Sequence, residues 1–263
     1  MRALLRVAVA IAAFALPAAA ASQPPTGIVR PADEGSLSLE QLGAQLYAGN
    51  CASCHGSQGE GVTATAPQRG AGGIQGLGPP LVGVGAEAAD FYLRTGYMPL
   101  SNPHEQPRRS RVLFSERELQ ALIGYVASFG GGPPVPEPHP EQGNVARGLE
   151  LFTSHCAGCH QVVTEGGFVT GAVAPPLEDA TAVQIAQAVR IGPFIMPSFS
   201  ERVIPADDLD SIIAYVQASK SPHDAGGWGI GHLGPVPEGM VTWLLAAVLL
   251  VGLCVVIGTR LKA

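Results

Sequence analysis

Charged residues are scarce in this chain, and their scarcity limits what the protein can be. Asp, Glu, Lys and Arg make up 14% of the 263 residues, against 46% for the hydrophobic ones. So little charge is unusual for a wholly soluble protein and indicates that part of the chain lies in a membrane. The net charge of −6 argues against a nucleic acid as partner, because a phosphate backbone attracts basic surfaces.

Cysteine is scarce as well. The chain has five Cys, and four of them stand in two C-x-x-C-H segments, residues 51–55 and 156–160. The fifth, Cys254, lies in an apolar run and has no obvious partner. We therefore expect no structural disulfide.

The C-x-x-C-H segment is the attachment signature of c-type haem. Two thiols on one helical turn can each add to a vinyl group of the porphyrin, and the adjacent His supplies the proximal nitrogen to the iron. A redox dithiol, a zinc site or disulfides are the alternatives, but none of them requires a His after both pairs. We predict two covalently bound haem c groups. Their attachment and proximal residues would be Cys51, Cys54 and His55, and Cys156, Cys159 and His160.

The two motifs belong to an internal repeat. A Gly, an aromatic residue and the first motif Cys follow at intervals of four in both copies, at a constant offset of 105. Residues four apart share one face of a helix, so a helix is predicted before each motif. A helical apolar stripe closes each copy, at an offset of 90. Capping boxes are predicted at Ser38 with Gln41 and at Ser115 with Glu118.

Methionine is also rare, and its placement is informative. Of four Met, Met1 is the initiator and Met240 opens the C-terminal apolar run, whereas Met98 and Met196 each precede a Pro at matching places in the repeat. A thioether is a good sixth ligand for low-spin haem iron. The alternative is that both Met side chains only fill the core. Because no other Met competes, we predict that Met98 and Met196 are axial ligands.

A helix with C-x-x-C-H, a Pro-Leu loop, a Met-Pro loop and a closing helix resembles the all-α class I cytochromes c. Two such domains in tandem, followed by a C-terminal transmembrane helix, are therefore the predicted fold. The resemblance implies that the first and last helices of a domain cross, through Gly43, Tyr47 and Tyr125. It also implies that a Pro carbonyl, of Pro79 and of Pro175, orients the proximal His and fixes its tautomer.

The N-terminus predicts an export signal. Arg2 and Arg6 precede an apolar stretch at 7–16 and small residues at 17–21. This order is typical of a signal peptide, here residues 1–21, and an uncleaved anchor is the alternative.

The C-terminus predicts a single membrane span. Residues 240–258 carry no charge and are long enough to cross a bilayer as a helix. Arg260 and Lys262 follow, so the positive-inside rule makes residues 259–263 cytoplasmic. The haem domains would then lie on the extracytoplasmic side of the cell membrane.

The remaining boundaries follow from the repeat and from composition. We predict a flexible leader, a first cytochrome c domain, a Pro-rich semi-rigid linker, a second cytochrome c domain and an irregular tail. Their respective limits are 22–35, 36–130, 131–140, 141–221 and 222–239.

The first copy contains an eight-residue insertion after Met98. It carries three basic residues, Arg108, Arg109 and Arg111. A solvated loop is the simpler interpretation, and a docking surface for another protein is the alternative.

The tandem domains, the anchor and the Gly-Pro-x-x-Glu-Gly sequence at 234–239 together resemble one family, over residues 36–258. It is the dihaem cytochrome c subunit of the actinobacterial cytochrome bc complex, the menaquinol–cytochrome c reductase. The resemblance implies partner cytochrome b and Rieske iron–sulfur subunits and electron exit to a haem-copper oxidase. The chain would be an electron-transfer subunit of this translocase, passing electrons from the Rieske subunit to the oxidase, without a catalytic site of its own.

Three other functions share some of these features. A dihaem subunit of another membrane dehydrogenase would have the same haem motifs and differ only in its partners. A dihaem peroxidase would need an open iron position, whereas each copy here has its own Met. A soluble dihaem carrier would not need the C-terminal apolar helix.

Overall fold

The computed structural model of this protein describes residues 27–62, 78–100, 105–220 and 235–261. The predicted signal peptide and residues 222–234 of the predicted tail lie outside the described residues. The chain divides into two compact units, Met1–Gln217 and Ala218–Ala263. The first unit contains both haem-motif repeats apart from the end of the closing helix, and the second contains the apolar C-terminal helix.

Helices form the frame of both repeats, as predicted. The first repeat contains α1 Leu39–Asn50, α2 Ala52–His55, α3 Gly85–Arg94 and α4 Glu116–Ala127. The second contains α5 Val145–His155, α6 Ala157–His160, α7 Ala182–Ile191 and α8 Ala206–Lys220. Two short 3₁₀ turns, Glu34–Ser36 and Pro140–Gln142, precede the repeats.

The second repeat also contains a small hairpin that the all-α prediction lacks. Strands β1 (Gly167–Val169) and β2 (Ala172–Ala174) pair antiparallel, with Phe168 opposite Val173. Gly171 turns the chain with a φ of +83°, a conformation that costs glycine little.

Among the described residues of the first repeat, an isolated bridge between Val62 and Gly78 lies at the matching place. Fifteen residues (63–77) separate these two bridge partners, against six (168–173) between Gly167 and Ala174 of the hairpin. The first repeat is therefore longer at this place, and residues 63–77 lie outside the described residues.

Side-chain caps fix where the helices begin. Both predicted capping boxes are confirmed, and a third begins α7: the pairs are Ser38 with Gln41, Ser115 with Glu118, and Thr181 with Gln184. Each box satisfies backbone N–H groups that have no partner inside the helix.

The first and last helices of each repeat cross at a glycine. A Cβ on Gly43 would overlap the Ala121 carbonyl oxygen and lie 2.8 Å from Cβ of Tyr125, closer than real Cβ atoms approach. A Cβ on Gly148 would likewise overlap the carbonyl oxygen of Ser211. Next to the first crossing, the rings of Tyr47 and Tyr125 lie 5.4 Å apart. The predicted contact through Gly43, Tyr47 and Tyr125 is therefore confirmed.

The segment before α1 differs from the flexible leader expected over 22–35. Arg30 donates to both carboxylate oxygens of Glu118 on α4, at 2.7 and 3.2 Å, and to the Leu113 carbonyl. Val29 exchanges two hydrogen bonds with the Asn50 side chain. These bonds fasten the described part of the leader to the first domain.

The Pro-rich linker is also attached near both of its ends. The Pro133 carbonyl accepts from the backbone N–H of Glu87 on α3 at 3.1 Å. The backbone N–H of His139 donates to Asp210 on α8 at 2.7 Å. The linker thus packs on both repeats instead of acting only as a spacer.

In the second unit, α9 comprises Pro235–Leu261, so it begins inside the tail predicted for residues 222–239. Its stretch 239–261 has a mean hydropathy of 2.8, and none of its residues is buried. Among the described residues, it is the one helix long and apolar enough to cross a membrane.

The helix crossing gives a first testable prediction. Gly43→Ala should lower the free energy of unfolding by about 1–3 kcal/mol, because the new methyl group meets backbone that cannot rotate away. Gly124→Ala is the matched control: it lies on the partner helix α4 with nothing within 4 Å, and should stabilise the helix by roughly 0.5–1 kcal/mol. Thermal unfolding of the two variants beside the parent measures the difference. Equal melting temperatures would contradict the close crossing.

Candidate haem sites

Each C-x-x-C-H segment sits at a break between two helices. Cys51 ends α1 and also caps α2, with a φ of −122°, and Cys156 does the same between α5 and α6, with a φ of −121°. The N–H groups of His55 and His160 each donate to the carbonyl of the first motif Cys at 2.9 Å. This tight turn holds both thiols and the His of a motif within a single helical turn.

The two motif His side chains make the same hydrogen bond. Nδ1 of His55 lies 2.8 Å from the carbonyl oxygen of Pro79, and Nδ1 of His160 lies 3.0 Å from that of Pro175. A carbonyl can only accept, so Nδ1 must carry the proton and the lone pair is left on Nε2. Burial lowers the pKa of both imidazoles, and the bond to the Pro carbonyl offsets part of this shift. Both rings are therefore neutral at neutral pH, the form that can ligate iron.

The predicted Met ligands lie against the same apolar clusters as the motif thiols. Met98 and Cys51 both pack on the core of the first repeat, and Met196 and Cys156 both pack on that of the second. Both Met side chains are half-buried. In each repeat the first motif Cys and the Met thus contact the same apolar core cluster.

The first Cys of each motif packs against an apolar cluster, whereas Cys159 and Cys254 are exposed. All five Cys are free of disulfides. Burial raises the pKa of Cys51 to about 12 and that of Cys156 to about 11. In the described part of the chain, no three His, Cys, Asp or Glu side chains cluster as metal ligands.

These features fit haem c. A neutral imidazole with Nε2 available, two thiols on one turn and a thioether beside an apolar wall are what a covalently attached, six-coordinate haem needs. The two sites have the same backbone turn, the same Pro contact and the same apolar neighbours.

The structure adds residues that sequence reasoning missed. Arg190 donates to the carbonyls of Phe199 and Ile204, at 3.0 and 2.8 Å, and so holds the loop that follows Met196. An Arg recurs at the same place in the first copy, Arg94, and this repetition was the signal available in the sequence.

Tyrosine hydroxyls brace the turn that follows each motif. Tyr47 donates to the Gly56 carbonyl at 2.8 Å, next to His55. In the second repeat Tyr215, from the closing helix, donates to the Val162 carbonyl. Tyr47 and Tyr215 thus each combine ring packing with a hydrogen bond from the hydroxyl group.

Family models and relatives agree with this geometry. A model described as "Cytochrome c" matches residues 40–129, and one described as "Cytochrome C oxidase, cbb3-type, subunit III" matches residues 143–216. A cytochrome bc1 complex cytochrome c subunit of Corynebacterium diphtheriae is 35% identical over 254 residues, 90% of this chain and 86% of that protein. The protein of the same name from Mycobacterium tuberculosis is 37% identical over 246 residues, 90% of this chain and 83% of that protein.

The chain belongs to the family of cytochrome bc1 complex cytochrome c subunits. The resemblance stated from the sequence is confirmed, as are the two cytochrome c domains and the electron-transfer role. Cytochrome c domains imply covalent haem c, and the two motifs fit two such groups. A crystal structure of reduced recombinant cytochrome c4 from Pseudomonas stutzeri covers 68% of this chain and 97% of its own at 21% identity. The TM-score between the two structures is 0.24.

Haem counting tests the two sites of this cytochrome c subunit separately. The parent should keep two haems per chain after denaturation, because each is held by thioether bonds. Cys51→Ala with Cys54→Ala, or Cys156→Ala with Cys159→Ala, should leave one. Cys254→Ala is the control and should leave both, since its thiol lies far along the chain in α9. The pyridine haemochrome spectrum per mole of protein measures the count, and a parent value of one would contradict the doubled site.

Proposed function

We propose that this membrane-anchored dihaem cytochrome c subunit works in a respiratory cytochrome bc complex. It passes electrons from the Rieske iron–sulfur subunit to a terminal haem-copper oxidase during menaquinol oxidation. The observation that carries the proposal is the duplicated site, with thiols, a neutral His and a Met in each repeat, on a chain that ends in one long apolar helix.

The residues of this chain would hold the iron of each site from both sides. Nε2 of His55 and of His160 would supply the nitrogen ligand, and Sδ of Met98 and of Met196 would supply the sulfur ligand. When bound, haem c supplies a one-electron ferric/ferrous couple. With both ligands supplied by the chain, each site would carry electrons and would not bind a substrate.

The Pro carbonyls have a supporting role in this proposal. By holding the Nδ1 proton, Pro79 and Pro175 would fix the tautomer and the orientation of the imidazole and strengthen Nε2 as a ligand.

The membrane helix supports a division of labour with partner subunits. The stretch 239–261 contains no His, the residue that would supply the proximal nitrogen to a haem. A single helix also cannot enclose a quinone. Quinol oxidation therefore belongs to a cytochrome b partner, and the haem domains work outside the cytoplasm, with the C-terminus after Arg260 inside.

A second candidate function is a dihaem electron-transfer subunit of another membrane complex, such as a dehydrogenase. The second repeat matches a family described as a cbb3-type oxidase subunit, which is consistent with work in a membrane complex other than a cytochrome bc complex. Both functions use the same sites and differ in the partners.

Purification of the tagged chain from its own membranes in mild detergent separates the two candidates. The proposal predicts stoichiometric cytochrome b, Rieske and haem-copper oxidase subunits, and reduction of the c-type haems when a menaquinol analogue is added. A chain truncated after Lys220, which lacks α9, is the control and should lose these companions. Recovery of dehydrogenase subunits without a cytochrome b would contradict the proposal and favour the alternative.

A further inference from the structure

The two repeats contact each other through α3 and α7, within the unit Met1–Gln217. The side chain of Gln187 on α7 is fully buried there. Its Nε2 donates to Oδ2 of Asp90 at 2.8 Å and to the Glu87 carbonyl at 3.3 Å, both on α3. Its Oε1 has no hydrogen-bond partner among the described residues, so the Gln187 side chain makes this contact only through its amide N–H donors.

On the first repeat, ion pairs connect this contact to the closing helix α4. Asp90 is 5% exposed, and its other carboxylate oxygen accepts from Nε of Arg94 at 2.6 Å. The guanidinium of Arg94 also forms a two-pronged pair with Glu116 on α4, both bonds at 2.7 Å. The network therefore extends from α7 through α3 to the closing helix of the first repeat.

On the second repeat, the contact is tied to the Met loop. Arg190 lies one turn after Gln187 and holds the carbonyls of Phe199 and Ile204, which follow Met196. Its charge also acts on Glu87 across the interface, where burial raises the pKa of that carboxyl and Arg190 opposes the shift.

The Met loop of the first repeat starts from the same interface. Met98 donates its backbone N–H to the carbonyl of Tyr92 on α3, at 3.0 Å. The Ser110 N–H donates to Thr95 just after α3, at 3.1 Å. Each interface helix thus leads directly into the loop that carries the Met of its repeat.

The insertion after Met98 makes a second contact between the repeats. The Gln106 amide bonds both backbone groups of Val173 on β2: it accepts from the N–H at 2.9 Å and donates to the carbonyl at 2.7 Å. Arg109 donates to Oε1 of Gln184 on α7 at 2.8 Å. Arg109 is one of the three basic residues for which the sequence left both a solvated loop and a docking surface open, and it is bonded inside the chain.

We propose that Gln187 and Gln106 are positioning residues that hold the two haem domains in one arrangement and so set the rate of electron transfer between the haems. The inference rests on the proposed haem relay. Neither side chain belongs to the predicted ligand set, so both act through α3, α7 and β2. Their removal should widen the range of haem–haem distances and leave each ligand set intact.

The test compares Gln187→Leu, Gln106→Ala and the double variant with the parent, in the full-length protein in detergent. Gln120→Leu is the matched control, since it makes the same change on the exposed face of α4, where Gln120 bonds only to Glu116 at 3.2 Å. Pulsed EPR between the two ferric irons measures the distance distribution. Hydrogen exchange of the α3 and α7 peptides measures opening of the interface, and flash photoreduction measures electron transfer between the haems.

The parent and Gln120→Leu should give one narrow distance distribution. Gln187→Leu leaves the buried Oδ2 of Asp90 unpaired, so exchange at α3 and α7 should accelerate about tenfold. The double variant should broaden the distribution and slow electron transfer between the haems, while each haem keeps its absorption spectrum and midpoint potential. If Gln187→Leu loses haem, the Gln106→Ala variant by itself tests the proposal, because this substitution changes only a half-buried side chain.

Two outcomes distinguish a failure of the positioning role from a failure of the proposed relay. An unchanged distance distribution and unchanged exchange in the double variant would overturn the positioning role, whatever the relay does. A parent with a narrow distribution but no electron transfer between the haems would contradict the proposed relay, and the distance measurement would still support the positioning role.

Discussion

The hydrogen bond from the motif His to a Pro carbonyl is the contact around which each haem site is arranged. It joins the short helix that follows the first motif Cys to the Pro-Leu loop, at 2.8 Å in the first repeat and 3.0 Å in the second. The sharp turn at Cys51 and Cys156 places the ring, and the crossing of the first and last helices behind it supports the turn. Because the carbonyl determines which ring nitrogen keeps its proton, the same bond leaves Nε2 available as a ligand.

The two repeats keep this frame and differ in two segments. The first has fifteen residues between Val62 and Gly78 and an insertion after Met98, whereas the second has the β1–β2 hairpin at the place that matches Val62 and Gly78. Gln106 from that insertion bonds to the backbone of Val173 on β2, and Gln187 on α7 bonds to Asp90 on α3. Duplication thus supplied two equivalent sites, the matching helices α3 and α7 form one contact between the repeats, and the insertion adds another.

The features predicted from the sequence are those with a local signature. Intervals of four between Gly, aromatic residue and Cys predicted the helix crossing, and short capping motifs predicted helix starts. The missed features depend on residues far apart in the chain: Arg30 reaches Glu118, 88 residues away, and Gln187 reaches Asp90, 97 residues away. The three-residue strands of the hairpin are too short for any period to show, and exposed Phe168 gives no pattern of burial.

In the proposed haem relay, each repeat ligates its iron with one His and one Met. Iron K-edge X-ray absorption of the purified full-length protein measures the ligand atoms averaged over both haems. The account predicts five nitrogen ligands and one sulfur ligand per iron, with the sulfur supplied by Met98 and Met196. A sulfur count of one half would show that only one repeat uses its Met, and a count of zero would contradict the ligand set in both.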